Sequence, residues 1–184
     1  AAQEPKSVHG GIALAPLLRL DGWAVPMRAH LFRLVTTRWC ARLFSFPELG
    51  NYGVKDDRVR DVIRELVARG GPAEAARMLK PGEAMLELQR LAKVVRRELG
   101  VVQQPTLIVH PRDDDRASFR SNAVHLQQNL GGLVDTLVLD DCYHVITVDR
   151  QRDLVMNKTI QFAGWLEGHL GIAAEKSQTA ARSA

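Results

Sequence analysis

With 184 residues, 46% hydrophobic and 25% charged, the chain has the length and balance of one globular domain with a sizeable core. Its net charge of +4 comes from Arg and Lys spread among acids, as in "RVRDVIRELVAR" and "KVVRREL". They read as solvated helix faces and argue against a nucleic-acid surface. No apolar run approaches the ~20 residues of a membrane span, and two distant cysteines, Cys40 and Cys142, argue against a disulfide framework and for a reducing, cytoplasmic compartment.

In chain order, "AAQEPKSVHGGIALAPLL" reads as a helix end, a turn at Gly10-Gly11, and a short apolar strand stopped by Pro16. From Leu17 to Gln104 the pattern is helix and loop, without a convincing strand. Pro26 opens a predicted helix whose packed face is Met27, Leu31, Val35 and Trp39. Asp57 is the expected cap of a second helix that ends at Gly70, and "PGEAMLELQRLAKVVRRELG" gives a third. Then come "PTLIVH", the helical "RASFRSNAVHLQQNLGG" closed by Gly131 at its C′ position, and "DTLVLD". All-apolar short strands suit a parallel sheet buried on both faces, and the order gives a right-handed β-α-β unit. A last helix, "RQRDLVMNKTIQFAGWLEGHLG", draws its apolar surface from Leu154, Ile160, Phe162, Trp165 and Leu166, and a small polar tail follows. The expected division is therefore 1–16 helix end and first core strand, 17–104 helical cap, 105–170 C-terminal core and 171–184 disordered tail. The fold class is α/β.

Chemistry concentrates after the second and third strands, in "HPRDDD" and "DDCYH". Sites of open parallel sheets lie beyond the carboxyl ends of their strands. Adjacent strands would bring a carboxylate of Asp113, Asp114 or Asp115 to His144. A carboxylate on one imidazole nitrogen fixes the tautomer that lets the other accept a proton from a nucleophile. Asp113 and Asp115 also read as exposed turn residues or a helix cap. His110, Asp113, Asp115 and His144 are ordinary metal-ligand types, but no H-x-x-x-H or C-x-x-C spacing gathers them, so neither metal nor cofactor is expected. Cys142, two residues before His144, reads as a buried small thiol. Trp23, Phe32 and Trp39, with Tyr143 on the histidine loop, are the expected apolar wall for a substrate.

These segments resemble the α/β-hydrolase superfamily. "QPTLIVHPRDDD" is similar to its acid-bearing strand and turn, H-G-x-x-D, which places the acid at Asp114, with Pro111 where glycine is usual. "DDCYHVITVD" is similar to the S-G-H or S-Y-H turn of bacterial carboxylesterases and monoacylglycerol lipases, which places the base at His144. "ALAPLLRLDGW" resembles the strand entering the cap in the same serine aminopeptidase or lysophospholipase-like group. The likeness runs to about Gly168. It implies a Ser-Asp-His triad acting on ester or acylglycerol-like small molecules. Yet no G-x-S-x-G elbow occurs, and none of the six serines (Ser7, Ser45, Ser118, Ser121, Ser177, Ser183) lies in such a context. His9-Gly10-Gly11 imitates an oxyanion "HGG" but leads into the wrong strand. The resemblance thus implies a C-terminal half that begins just after its nucleophile. Such a chain is expected to be inactive by itself and prone to self-association through the open edge of its first strand. The alternative is a non-catalytic remnant or apolar-ligand-binding module of the same fold. The first residue is Ala1 rather than Met, so the chain is uninformative about a signal peptide.

Overall fold

The computed structural model describes residues 8–47, 51–77 and 79–169, and for 28 and 72–77 the backbone only. The expected N-terminal helix end and C-terminal tail lie outside the described residues. The elements are β1 (Gly11–Leu14), α1 (Met27–Leu31), α2 (Arg38–Ala41), β2 (Ser45–Pro47), α3 (Asp57–Arg77), β3 (Leu79–Pro81), α4 (Gly82–Glu98), β4 (Thr106–Pro111), α5 (His125–Asn129), β5 (Val134–Leu139) and α6 (Arg152–His169).

Three of the strands form a parallel sheet in the order β1-β4-β5. Gly11 lies opposite Thr106, and Thr106 opposite Val134. All of β4 is buried, because both its faces are covered. On one face Leu107 and Val109 pack with Leu139, Cys142, Ile146 and, from α6, Val155 and Phe162. On the other, Ile108 meets Leu99, Ala123 and Leu126. This double burial is why "LIV" is a continuous apolar run. By contrast, β1 pairs with β4 alone among the described residues, and its Ile12 and Leu14 are exposed.

Several expectations change. The span 17–104 is not all helix: β2 and β3 form a short antiparallel ribbon, Phe46 opposite Lys80. Three-residue strands that each end in proline leave no alternation for a sequence pattern to catch. The helix begun at Pro26 breaks at Val35, which is extended (φ −77°, ψ 117°), and restarts behind the cap residue Thr37. Of the expected face, Met27, Leu31 and Trp39 point outward, 77%, 63% and 73% exposed, and only Val35 packs inward. Ala29, Phe32 and Ala41 instead join Val25, Phe46 and Leu86 in a separate apolar cluster. The cap of α3 is Asp56, one residue early, whose Oδ1 accepts the Arg58 N–H at 2.9 Å. α3 is interrupted at Gly71 (φ 62°), close to the expected stop. Gly131 is not in the left-handed region; a Cβ there would lie 2.3 Å from the Gly100 carbonyl, so close approach selects it. On α6, Val155 and Phe162 are buried, while Leu154 and Ile160 point to solvent.

Candidate active site

Chain leaving β4 turns sharply, and its carboxylates set the turn. Asp114 Oδ1 accepts the backbone N–H groups of Arg116 and Ala117, both at 2.8 Å. That occupies one oxygen and fixes the direction of the other. Asp114 Oδ2 stands 2.9 Å from His144 Nδ1, with Asp114 itself only 3% exposed. A carboxylate at Nδ1 makes that nitrogen the donor and leaves the Nε2 lone pair unprotonated in the neutral ring.

Asp115 holds the same histidine from another side, its Oδ1 accepting the His144 backbone N–H at 3.1 Å. It is fully buried, not the exposed turn residue expected, because the 21–24 loop lies across it. The Ala24 N–H donates to its carbonyl (3.1 Å), and those of Asp21 and Gly22 donate to the Arg116 carbonyl (3.0 and 2.8 Å). Only glycine fits at 22, since a Cβ would come within 2.3 Å of the Arg116 nitrogen. Burial pushes the Asp115 carboxyl up, against the opposing pull of the His144 N–H. Behind Asp114 sits a second imidazole. His110 Nδ1–H donates to the Pro111 carbonyl (2.9 Å), its Nε2 is 3.8 Å from Asp114 Oδ2, and burial holds its pKa down.

The histidine loop after β5 is tied by Asp149, which is fully buried. Its Oδ2 accepts the N–H groups of Lys55 and Tyr143, both at 2.8 Å, and its Oδ1 those of Asp56 and Arg150, both at 2.9 Å. Beside it the Val145 N–H donates to the Gly53 carbonyl at 2.8 Å. Gly53 has φ 72°, and a Cβ there would lie 3.0 Å from Val145 Cγ2. A third anchor is buried Asn122. It accepts the N–H groups of Leu18 and Arg19 (2.8 and 2.7 Å) and donates to the Ser118 carbonyl (2.9 Å). Nothing in the sequence pattern marks Asp149, Gly53 or Asn122, because their partners lie 90 or more residues away for Lys55 and Leu18.

His144 opens on a cavity of about 450 Å³. Its walls are mainly apolar (Leu17, Val25, Phe46, Met85, Val145), with Tyr52, Lys80 and Arg116 as polar members. A second cavity of about 550 Å³ adjoins it. Phe32 lines that second space. Trp23, Trp39 and Tyr143 line neither. Trp23 instead donates from Nε1 to the Asp113 carbonyl (3.0 Å) and sets its ring edge-on to Tyr143, centroids 5.3 Å apart, bridging the acid and histidine loops from outside. Cys142 is fully buried, its sulfur accepting the Gln151 N–H at 3.3 Å, and burial pushes its thiol up. Among the described residues, no group of three His, Cys, Asp or Glu side chains is placed to hold a metal ion. No described helix is long and apolar enough to cross a membrane.

Solved structures share this fold. One of the metagenome-derived lipolytic enzymes LipS and LipT superposes with a TM-score of 0.65 at 22% identity, over 92% of this chain and 59% of its own. The monoacylglycerol lipase of Paleococcus ferrophilus gives 0.65 at 13% identity, over 91% and 62%. A soluble variant of the Saccharomyces cerevisiae monoglyceride lipase gives 0.59 at 16%, over 88% and 56%. The fold is that of the α/β-hydrolases. The chain spans about three fifths of the length of these three α/β-hydrolase structures. No family model and no curated protein sequence matches it.

Proposed function

We propose that this α/β-hydrolase chain supplies the acid, Asp114, and the base, His144, of a nucleophile-acid-histidine triad acting on carboxylic esters, of the carboxylesterase or monoacylglycerol lipase type. The nucleophile, a serine by resemblance, comes from outside these 184 residues. One observation carries the reading: a buried carboxylate 2.9 Å from the Nδ1 of a histidine that borders an apolar cavity.

The chemistry follows from the tautomer. Asp114 holds the proton on Nδ1, so Nε2 accepts the nucleophile's proton as its oxygen bonds to the ester carbonyl carbon. The imidazolium that forms is stabilised by Asp114 and gives that proton to the departing alkoxide as the ester C–O bond breaks. Water then enters. Nε2 takes one of its protons while the remaining hydroxide adds to the acyl carbon. The same proton returns to the nucleophile's oxygen as the acid is released. Asp115, through the His144 N–H, and Asp149, through the loop, keep the ring at the right place for both transfers.

The test is hydrolysis of p-nitrophenyl esters by the chain alone and by the chain joined to coding sequence preceding Ala1. We expect turnover only with a nucleophile-bearing segment present, abolished by His144→Ala. Robust turnover by the chain alone, or activity that survives His144→Ala, would overturn the assignment. A chain that binds apolar esters yet never gains activity would favour the ligand-binding alternative.

A further inference from the structure

The cavity beside His144 does not end at its apolar wall. Leu17, Leu20, Ala29, Phe46, Met85 and Leu88 line both this cavity and the adjoining one of about 550 Å³, and so form an apolar waist between them. Beyond the waist the lining changes character. Arg19, Arg33, Lys93, Arg96 and Arg97 surround the second space, and no Asp or Glu lines it. In sequence these cations are scattered over nearly eighty positions and read as separate solvated faces. Folding brings the loop after β1, the turn after α1 and one side of α4 to a single mouth. The positive potential is felt by its members. Arg33 is pushed down first by burial and then by Arg19, and His125 first by burial and then by Arg96. Pairing within the protein is partial: Arg19 lies 3.4 Å from Asp21, and Arg33 donates to the Leu20 carbonyl at 3.0 Å.

We infer that the substrate of this site is an ester with an apolar chain whose far end carries an anion, a carboxylate or a phosphate. The ester lies at His144, the chain crosses the waist and the anion sits among Arg19, Arg33, Lys93, Arg96 and Arg97. This inference rests on the ester-hydrolase reading and names its substrate class. A neutral acyl chain would leave five cations facing an apolar ligand end. An anion there gains charge-assisted hydrogen bonds in a partly desolvated setting. A free inorganic anion would gain the cations but leave the waist unfilled.

The experiment measures binding without turnover, by the wild-type 184-residue chain. The probes are monomethyl suberate, which has a terminal carboxylate, methyl octanoate, its neutral counterpart, and inorganic phosphate. We expect monomethyl suberate to bind at least about tenfold more tightly than methyl octanoate at low salt (~1.4 kcal/mol). The gap should narrow as ionic strength screens the cluster. In Lys93→Gln/Arg97→Gln, two exposed positions on α4, the gap should close as monomethyl suberate affinity falls. Monomethyl suberate should also shift the Met85 methyl and His144 ring resonances together. Equal affinity of the two esters refutes the inference, as does a gap that survives the double variant. Phosphate displacing monomethyl suberate as well as the ester itself does would mean an anion site unconnected to the waist, which also refutes it. Should the double variant unfold, the wild-type comparison and its salt dependence still decide. Since no hydrolysis is measured, failure here leaves Asp114 and His144 standing, and failure of turnover leaves the binding result standing.

Discussion

Replacing Asp149 by alanine should be among the most damaging single changes. The side chain is fully buried and accepts four backbone N–H groups, from Lys55, Asp56, Tyr143 and Arg150, at 2.8–2.9 Å. A donor left unsatisfied in the interior costs ~1–3 kcal/mol. Lys55, Asp56 and Tyr143 are half-buried and Arg150 exposed, so water reaches part of the gap and the lower figure applies. Four donors at ~1 kcal/mol each give a loss of about 4 kcal/mol, a large share of a domain's ~5–15 kcal/mol. Urea unfolding with a slope of ~1–3 kcal/mol per M should show the midpoint falling by about 2 M. Asp149→Asn keeps one acceptor oxygen and should lose about half as much. Hydrogen exchange should quicken at the Lys55 and Tyr143 amides together. A midpoint for Asp149→Ala within about 0.5 M of wild type would refute the reasoning.

Asp114→Asn should lower ester turnover of the nucleophile-supplied protein by about 10²–10⁴-fold with little change in KM, since the carboxylate acts on the imidazole and not on the substrate; unchanged kcat would remove Asp114 from the triad. Gly53→Ala forces a Cβ to φ 72° and to 3.0 Å from Val145 Cγ2, and should cost ~1–3 kcal/mol in a thermal melt. Stability should fall as pH drops below about 6.5, because unfolded His110 gains a proton that the folded, burial-depressed ring takes up only at lower pH. Asp115 acts in the opposite sense: its raised carboxyl binds a proton first in the folded chain, so stability is recovered as pH falls toward 3.8. Urea midpoints across pH for wild type, His110→Gln and Asp115→Asn separate the two. The open edge of β1, with Ile12 and Leu14 exposed, should make the isolated chain self-associate in light scattering; a monodisperse monomer would refute this.

What sequence carried and what it hid divide along physical lines. The three parallel strands were legible because each is a short apolar run flanked by turn residues. Burial on both faces, as in β4, removes the need for alternation. The acid and histidine loops were legible as polar clusters at strand ends, where the chain has to turn and where this sheet topology collects side chains. The cap was harder. Its periodic apolar residues predicted one continuous helix, but Val35 is extended and breaks it, and of the predicted stripe only Val35 packs inward. Trp23 and Tyr143, expected in a substrate wall for their aromatic rings, make contacts that tie two loops together. Asp115 could not be told from Asp113 by type, since only the 21–24 loop crossing above it decides which is buried. Asp149 and Asn122 act through distant backbone amides, which no local pattern encodes.

The anchoring of the cap limits how it can work. Its incoming loop is fastened to the segment after β4 at Asp115, Arg116 and Asn122, and its 51–56 turn to the histidine loop at Gly53 and Asp149. Both feet therefore stand on the loops that carry Asp114 and His144. Lifting this segment from either foot would pull on Asp114 or His144, so under the proposed function opening and proton transfer would exclude each other there. Under the proposed function, ligand would pass Met85 and Leu88, which line both cavities. Changing those two side chains should retune which chain lengths enter while the proton-transfer geometry stays fixed.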